Sequence, residues 1–373
     1  MKIVQKQNAK YAVACVTSMG VRITPADRMA VHNSSQFYLQ ATSAETNVLN
    51  VASSLGHECL ALTKFVEGSP IAAFIKAQLR ARNIAYEGKE LPQGGPWGYR
   101  HQFNIADSGF GLRAPRVWND RAGEVGRTLS AEDFDIERIF GQEGVAILHL
   151  SGLIAAMSPE TTQCCLALAK AAKQYGTLVS FDLNYRATFW KGREAELSAA
   201  FHEIASAADI LVGNEEDFQL CLGFKGPEAG GKDLNSKIES FKAMIEQVHE
   251  KYPNAKAYAT TLRQVISANE HLWGAILWAD GKWYVEEPAK SPSWTASAAA
   301  TASPAAYSTA FTRTGSRKSG CSLAGPAACW RPVPSTTTPS RRTRSRSGTS
   351  TRATRAFRDD QCRARRPRRA VKG

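Results

Sequence analysis

The chain has 373 residues, 43% of them hydrophobic, which suits a globular protein with one large core or two modest ones. Its apolar runs are too short to span a membrane and its first ten residues lack the apolar core of a signal peptide, so we expect a cytoplasmic protein. The net charge of +13 would by itself suggest a nucleic-acid partner.

The positive charge is concentrated at one end of the chain. Residues 294–373 carry 17 Lys and Arg against 2 Asp and Glu, whereas residues 1–293 carry 30 against 32. The basic segment is rich in Ala, Ser, Thr, Pro and Arg and contains one Leu, so it cannot bury enough apolar surface to offset its conformational entropy. We therefore predict a slightly acidic folded domain, residues 1–293, that does not bind nucleic acid, followed by a disordered tail, residues 294–373.

The eight cysteines are scattered along the chain. They form no CxxC pair and no Cys/His cluster at zinc spacing, so reduced and mostly buried thiols are expected. They are Cys15, Cys59, Cys164, Cys165, Cys221, Cys321, Cys329 and Cys362.

Short strands alternate with helices in the first part of the chain. Strands are predicted at 11–16, 21–24, 36–40, 59–64 and 84–87, and helices at 44–52 and 70–82. Ser43 is a plausible N-cap of the first helix, which places Asn47 in its first turn.

The segment 92–119 interrupts this alternation. The run Gly94-Gly95-Pro96-Trp97-Gly98 breaks regular structure, and short strands at 99–106 and 115–119 are expected outside the main sheet. Together with residues 20–40, this segment is predicted to form a small β lid. Its basic and aromatic side chains could reach an anionic substrate, although a solvated surface explains most of them.

Strands and helices alternate again after residue 144. Strands are predicted at 145–150, 178–181, 209–213, 257–262, 272–278 and 282–285, and helices at 159–175, 195–207 and 237–251.

Two of these strands end in polar residues. One leads to Asp182 and Arg186, and the next leads to Asn214 and Asp217. Ligands bind at the carboxyl ends of strands in open α/β sheets, which makes both places candidate sites. Simpler alternatives stay open, because the first cluster could be a turn with a surface ion pair and the second could be a helix cap.

Four stretches taken together resemble the ribokinase superfamily, the PfkB carbohydrate kinases, and above all the 2-keto-3-deoxygluconate kinase-like branch. They are SFDLNYRATFW at 180–190, GNEEDFQLC at 213–221, the strand end at 260–263 and NDRAGE at 119–124. The resemblance covers roughly residues 10–290 and depends on the order and spacing of the motifs. It implies an α/β fold with a doubly wound, mostly parallel sheet flanked by helices, a small β lid, and ATP-dependent phosphorylation of a sugar hydroxyl.

The resemblance also implies which side chains contact the substrate. These are Asn47, Tyr99, Arg121 and Arg186. Arginine suits a sugar-acid carboxylate because its guanidinium group donates two hydrogen bonds in a fixed fork. The implied partners are thus a sugar or sugar acid and, through the lid, a second copy of the chain.

A second implied group faces the nucleotide. Asp182, Asn214 and Asp217 would belong to the network of magnesium, water and phosphate, and Thr261 with Arg263 would lie toward the nucleotide. ATP and Mg²⁺ are the implied cofactors. The metal ligands stay open, with Asp182 and Asp217 acting through water as one option.

The sequence departs from the family pattern in three places of the domain. Asp217 stands where the family usually has Glu. The early Gly-Asp or Gly-Glu pair that grips the sugar reads Thr17-Ser18, and the Gly-Gly run before Asn47 reads Thr42-Ser43-Ala44. The last two departures leave the exact substrate open.

The largest departure follows Val285. The family continues with Asp-Arg-(Ile/Val)-Gly-x-Gly-Asp, in which helix N-terminal amides hold the transferring phosphate and the last Asp takes the hydroxyl proton. The chain contains no such motif, and the Asp would be expected near Ala300 and Thr301. Weak or absent activity is therefore predicted for the chain as written.

A shifted reading frame accounts for the missing motif. Codons compatible with residues 294–303, regrouped from the last base of Trp294, fix Asp and permit Arg, Ile, Gly, Gly, Gly, Asp, Gly and Phe. Residues 304–310 and 343–357 similarly permit Ala-Gly-Gly-Leu-Phe-Tyr-Gly and the amphipathic helix DEEQVWNIYEGNARV. We hypothesise that residues 294–373 are the right gene read in the wrong frame.

Two other interpretations remain. If the tail is genuine, residues 341–369 form a basic arm that could bind nucleic acid, attached to a domain that binds sugar or regulates without catalysis. A Rossmann oxidoreductase ranks lower, because no GxGxxG follows the first strand.

Overall fold

The computed structural model describes residues 8–226, 234–266, 270–279 and 281–292. The predicted tail at 294–373, with the expected position of the missing Asp near Ala300 and Thr301, lies outside the described residues. The side chain of Arg263 lies outside them as well.

The described residues form strands and helices in alternation. The strands are β1 (Tyr11–Val16), β2 (Gly20–Pro25), β3 (Phe37–Thr42), β4 (Cys59–Leu62), β5 (Phe65–Val66), β6 (Ile84–Glu87), β7 (Glu90–Leu91), β8 (Gln102–Asp107), β9 (Arg116–Asp120), β10 (Val145–Ser151), β11 (Leu178–Asp182), β12 (Ile210–Val212), β13 (Ala257–Val265), β14 (Glu270–Ala279) and β15 (Lys282–Pro292). The α-helices are α1 (Ala44–Ser54), α2 (Pro70–Ala81), α3 (Gly152–Ala155), α4 (Pro159–Gln174), α5 (Ala187–Trp190), α6 (Glu194–Ala207), α7 (Glu215–Leu222) and α8 (Leu234–Lys251). Within the described part of the chain, no helix combines the length and apolar character needed to cross a membrane.

A nine-stranded sheet organises the chain, with strand order β15-β14-β13-β12-β11-β10-β1-β4-β6. The strands from β13 to β6 run parallel, and β14 and β15 are antiparallel. The chain passes from β1 to β4 on one side and later fills the other side from β10 onward, so the order reverses between β1 and β10. This confirms the predicted doubly wound, mostly parallel sheet and places the topological switch point at β1 and β10.

The sheet is covered on both faces. Along β1, Ala14 and Val16 pack in one cluster with side chains of α4, α6 and α8, whereas Val13 and Cys15 pack in another with side chains of α1 and α2. Alternate residues of a strand point to opposite faces, so the two clusters are the two sides of the sheet. Each large apolar side chain that is fully buried contributes roughly 1.5–3 kcal/mol.

Three of the longer helices begin where the sequence supplies a serine cap. The Oγ of Ser43 accepts a hydrogen bond from the backbone N–H of Thr46, at 3.0 Å. Ser158 caps α4 in the same way, and α2 begins with Ser69 followed by a proline at its first position. These caps satisfy backbone donors that a helix N-terminus leaves open, which explains why the predicted starts agree with the structure.

A four-stranded sheet, β3-β2-β8-β9, forms the lid. In its register, Ile23 pairs with Leu39 and Ile105, and Ile105 pairs with Trp118, so these four apolar side chains share one face. The next row on the opposite face is polar and consists of Gln40, Arg22, Asn104 and Asn119. The lid therefore has one apolar and one polar face.

The structure corrects several predicted boundaries. The strand expected to end near Arg263 continues to Val265, because β13 pairs with β14 along its whole length. The strand expected at 282–285 extends to Pro292 through its pairing with β14. The two-residue strands β5 and β7 and the short 3-10 and π turns between Val125 and Glu143 were not expected, since they have no sequence period of their own.

Candidate active site

Polar residues gather at the carboxyl edge of the main sheet. Thr17 and Ser18 follow β1, Ser151 ends β10, Asp182 ends β11 and Asn214 follows β12. Because these strands are parallel neighbours, their carboxyl ends lie side by side at the switch point. The predicted polar clusters after β11 and β12 are therefore adjacent.

Asp182 is the most perturbed carboxyl group of this edge. Burial raises its pKa to about 8, and the negative charges of Asp217 and Glu45 add to the increase, while the guanidinium group of Arg186 opposes it. A carboxyl group in such surroundings gains from any added cation or hydrogen-bond donor.

Asn214 and Asp217 form the cap of α7. The backbone N–H of Asp217 donates to Asn214 Oδ1 and the backbone N–H of Asn214 donates to Asp217 Oδ2, both at 2.9 Å. The backbone N–H of Tyr185 donates to the other Asp217 oxygen, also at 2.9 Å. The helix-cap alternative is confirmed, and Asp217 also ties α7 to the loop after β11. Burial still raises the pKa of Asp217.

Arg186 lies exposed on the loop after β11. Its Nη1 donates to the carbonyl oxygen of Tyr185 at 2.6 Å, and its charge lowers the pKa of both Asp182 and Asp217. Asn184 turns the loop with a φ of 36°, a left-handed conformation that asparagine tolerates better than most residues. Its side-chain amide donates to Ser151 Oγ at 3.2 Å, which joins this loop to the end of β10.

Arg121 is fixed by Glu124. Its Nη1 lies 2.8 and 2.9 Å from the two oxygens of Glu124, a residue that is 1% exposed. Ser18 donates to the same carboxylate, and the Arg121 guanidinium lies 5.6 Å from the ring centre of Phe189. The guanidinium is thus held between a buried carboxylate and an aromatic ring.

Glu45 connects the two sides of the site. It lies in the first turn of α1, is 1% exposed, and accepts a hydrogen bond from Thr17 Oγ1 on its Oε2 at 2.8 Å. Burial raises its pKa, although the hydroxyls of Thr17 and Ser151 and the charge of Arg121 oppose the increase. Thr17 donates to Glu45, and the adjacent Ser18 donates to Glu124, which holds Arg121, so Glu45 and Arg121 are joined through one turn. The charge of Glu45 also raises the pKa of Asp182.

Two cavities open beside Arg121. The first has a volume of about 290 Å³ and is lined by Arg121, Glu124, Arg127, Met157, Ser158, Pro159, Thr188, Phe189 and Arg193. The second, of about 260 Å³, shares Glu124, Arg127 and Ser158 with the first and adds Tyr99. Ser158 caps α4, so both cavities lie at the N-terminus of that helix.

The remaining predicted residues lie around this cluster or beyond it. Asn47 is half-buried in the first turn of α1, as expected. Thr261 is half-buried on β13, the strand next to β12. Sequence reasoning did not single out Glu45, although an acid at the second position of a capped helix was a usable signal.

The model of the pfkB family carbohydrate kinases matches residues 128–260, which include Asp182, Arg186, Asn214 and Asp217. The chain carries a PfkB carbohydrate kinase domain. Arg121 and Glu45 lie before the matched segment of this domain.

Curated relatives of the PfkB domain match part of their own length. The 2-dehydro-3-deoxygalactonokinase of Haloferax volcanii is 24% identical over 206 residues, which are 55% of this chain and 61% of the relative. The 5-dehydro-2-deoxygluconokinase of Geobacillus kaustophilus is 29% identical over 133 residues, which are 36% of this chain and 39% of the relative. The chain thus spans less than two thirds of either protein.

Solved structures of sugar kinases share the fold. The 2-dehydro-3-deoxygluconokinase of Thermotoga maritima superposes with a TM-score of 0.68 at 23% identity, covering 83% of this chain and 93% of its own. A putative 2-keto-3-deoxygluconate kinase of Enterococcus faecalis has the same TM-score at 21% identity, covering 81% and 85%. A PfkB family carbohydrate kinase of Listeria grayi gives 0.62 at 25% identity, covering 75% and 80%.

Proposed function

We propose that this chain is built to phosphorylate a hydroxyl group of a sugar or keto-sugar acid with ATP. The observation that carries the proposal is that Arg121, fixed by Glu124 beside a cavity, and Arg186 lie near the buried Glu45 and the half-buried Asp182. The PfkB domain supports the kinase activity, and the names of its relatives support an acidic, deoxygenated sugar.

Arg121 and Arg186 would bind the acidic end of the substrate. Glu124 holds Arg121 through Nη1, which leaves Nη2 for a ligand, while Arg186 is exposed and can reorient. A carboxylate between them would make hydrogen bonds to charged donors, which are shorter and stronger than neutral ones. Asn47 and Tyr99 would contact the same molecule from α1 and from the loop before the lid.

ATP and Mg²⁺ are the proposed cofactors. A putative ribokinase II of Escherichia coli with the same fold was solved in complex with ATP and Mg²⁺, at 14% identity and a TM-score of 0.61. Asp182 is suited to a cation held through water, since a nearby positive charge would lower its raised pKa and favour its ionised form. Each oxygen of Asp217 accepts one backbone hydrogen bond and retains a further lone pair, so Asp217 could also act on the ion through water.

A bound magnesium ion would neutralise charge on the nucleotide phosphates. The part of the chain that the structure describes contains no group of three or more His, Cys, Asp or Glu side chains able to hold a metal ion by themselves. We therefore assign Asp182 to the ion through water, with Asn214 beside it and Thr261 and Arg263 on the nucleotide side.

We further propose that the chain as written is a weak or inactive kinase. It contains no Gly-x-Gly-Asp, so neither the anion-holding amides nor the acid that would take the hydroxyl proton is present. Translation of residues 294–373 in a shifted frame is our explanation, and resequencing the coding DNA tests it directly. In-frame codons that forbid the family motif would end this explanation.

The activity is tested with two proteins, the chain as written and a variant with the frame restored after residue 293. ADP release is followed with 2-keto-3-deoxygluconate, 5-keto-2-deoxygluconate and neutral sugars. We expect turnover with a sugar acid in the restored protein and at least about 10³-fold less in the chain as written, because the loss of one oxyanion donor alone costs about 10²–10³. No turnover with any substrate in the restored protein would refute the proposed kinase.

The same proteins test the non-catalytic alternative. A basic tail that binds nucleic acid would give salt-dependent DNA or RNA binding by the full chain, lost on truncation after residue 293. That outcome, with unmodified in-frame codons, would favour a sugar-binding or regulatory protein.

We also propose that two copies associate through the apolar face of the lid. Leu39 and Trp118 on that face are 52% and 71% exposed. Trp118→Glu should shift the mass measured by light scattering from dimer to monomer. Trp97→Glu is the matched control, because Trp97 is 97% exposed and lies outside the lid strands. A monomeric wild type at micromolar concentration would contradict the proposed dimer.

A further inference from the structure

Two buried oxygen atoms near the Thr17–Ser18 turn have no partner with hydrogen-bond geometry among the described residues, although the Ser151 hydroxyl lies near enough to the Glu45 carboxyl group to lower its pKa. They are Glu45 Oε1 and Gln102 Oε1, on residues that are 1% and 5% exposed. The large majority of buried side-chain polar atoms have at least one partner, because leaving one unpaired is costly. Two unpaired acceptors at one place therefore need an explanation.

The same turn fixes both side chains. Thr17 Oγ1 donates to the other oxygen of Glu45 at 2.8 Å, and Gln102 Nε2 donates to the carbonyl oxygen of Ser18 at 3.4 Å. Ser18 also donates to Glu124, the carboxylate that holds Arg121. One polar atom of each side chain is thus fixed by the turn. The unpaired oxygens lie beside the network that includes Arg121, the proposed substrate arginine.

Packing alone does not explain these residues. Gln102 occupies space that a side chain at position 20 would need, since a Cβ on Gly20 would lie 2.2 Å from Gln102 Cγ. Methionine would fill the same volume without an amide. Glu45 gains from its place at a helix N-terminus, but burial still outweighs the groups that favour its charge. Both positions retain a polar end that the protein's own described groups do not use.

The two residues lie on different parts of the fold. Glu45 belongs to α1 of the main domain, whereas Gln102 begins β8 of the lid, on the same face as Asn104. A ligand that donated to both would therefore join the lid to the domain. Two hydroxyl groups of one sugar could donate at both places.

We propose that Glu45 and Gln102 accept hydrogen bonds from two hydroxyl groups of the substrate and so select a sugar acid that carries both of these hydroxyl groups over one that lacks either of them. This inference rests on the proposed function and extends it, because it assigns the hydroxyl-recognising residues. Where the family resemblance would place an acid at Thr17-Ser18, the acceptors come instead from α1 and β8, each oriented by that turn.

The test measures binding to the full-length chain by calorimetry. The probes are d-gluconate, its 2-deoxy and 3-deoxy analogues, and 2-keto-3-deoxygluconate. The variants are Glu45→Gln, which replaces the open acceptor with a donor, and Gln102→Met. Glu143→Gln is the matched control, because Glu143 Oε2 is also buried without a partner but precedes β10 at the opposite edge of the sheet.

We expect Glu45→Gln and Gln102→Met to weaken binding of the best probe by roughly 10- to 100-fold, and Glu143→Gln to leave it unchanged. In each active-site variant, the affinity ratio between the hydroxylated probe and one deoxy analogue should fall toward one, which a merely structural role would not produce. Urea midpoints without ligand should equal or exceed that of the wild type, since an unpaired acceptor has been removed.

The contrary outcomes are distinct. Wild-type affinities and wild-type hydroxyl discrimination in both variants would overturn the assignment of Glu45 and Gln102 while leaving the proposed function in place. A clear loss of unliganded stability with unchanged discrimination would show that they are structural residues. Failure of the wild type to bind any probe would refute the sugar-acid function itself, and this inference with it.

Discussion

Two aspartates at opposite edges of the main sheet have opposite surroundings. Asp209, 2% exposed, precedes β12 at the amino edge, where the ammonium groups of Lys173 and Lys256 lie 2.8 and 3.1 Å from its oxygens. Asp182 ends β11 at the carboxyl edge, where burial and two further acids raise its pKa, and the charge of Arg186 and a backbone hydrogen bond at Asn184 oppose the increase. The amino edge stabilises its carboxylate with two lysines, whereas the carboxyl edge favours the protonated form of Asp182 as long as no ligand adds positive charge. That difference is what would separate a structural acid, Asp209, from an acid of the proposed site, Asp182.

The largest expected effect comes from removing Asp209, whose charge Lys173 and Lys256 balance. Asp209→Ala should lower the free energy of unfolding by roughly 3–5 kcal/mol, because it removes the partner of two lysines and the acceptor of the Val179 N–H at 2.9 Å. Urea denaturation measures the loss. Glu239→Ala is the control, since Glu239 is 73% exposed and should change stability by about 0.5 kcal/mol or less. A loss below about 1 kcal/mol in Asp209→Ala would show that the amino edge is not a structural site.

The second prediction isolates burial from neighbouring charges. Burial lowers the pKa of His149 on β10 to about 4, from 6.5. Between these pH values His149 is protonated in the unfolded chain and neutral in the folded chain. Its contribution to the free energy of unfolding is therefore fully present above pH 6.5 and is lost as the pH decreases toward 4. The total loss is about 3 kcal/mol, at 1.36 kcal/mol per pKa unit.

The check is the free energy of unfolding at several pH values between 4 and 7. His149→Gln should reduce the loss toward pH 4 by about the same 3 kcal/mol. His32→Gln, at an exposed position, should retain the wild-type dependence on pH. If the free energy of unfolding depends on pH equally in all three proteins, burial does not lower the pKa of His149.

The third prediction concerns the carboxyl edge. The pKa of Asp182 is raised from 3.8 to about 8, so the folded state holds a proton that the unfolded state releases between these values, and stability falls as pH rises through this range. Asp182→Asn keeps the shape and removes the charge. It should stabilise the unliganded protein by roughly 1–3 kcal/mol at pH 8 and have no effect near pH 4.

Asp133→Asn should have the opposite effect on stability if acids paired with lysine stabilise the fold and Asp182 does not. Asp133 is 4% exposed and its carboxylate lies 2.8 Å from Lys64 Nζ, so removing its charge should destabilise the protein. Destabilisation of similar size in Asp182→Asn and Asp133→Asn at pH 8 would contradict this distinction.

Elements defined by their own sequence could be predicted, and elements defined by pairing could not. The apolar run before Asp182 placed β11, and Ser43 placed the start of α1. The extension of β15 to Pro292 and the two-residue strands β5 and β7 depend on hydrogen bonds to distant strands, which leave no local pattern.

The candidate site divides in the same way. Asp182 and Asn214 follow apolar strands, so their shared edge could be read from the order of elements. The buried positions of Glu45 and Gln102 depend on how the turn after β1 meets α1 and the lid, a contact between segments up to 84 residues apart. No single stretch of sequence contains that information.

The smallest expected effect tests the cation that opposes Asp182. Arg186 is exposed, so Arg186→Met should change the free energy of unfolding by about 0.5 kcal/mol or less. The pKa of Asp182 should nevertheless increase further, because the charge of Arg186 lowers it, and carboxyl NMR titration measures this directly. Arg127→Met removes an equal charge from the neighbouring cavity and should leave the Asp182 titration in place. An unchanged Asp182 pKa in Arg186→Met would show that the charge of Arg186 does not act on Asp182. The role of Arg186 would then be limited to binding the substrate.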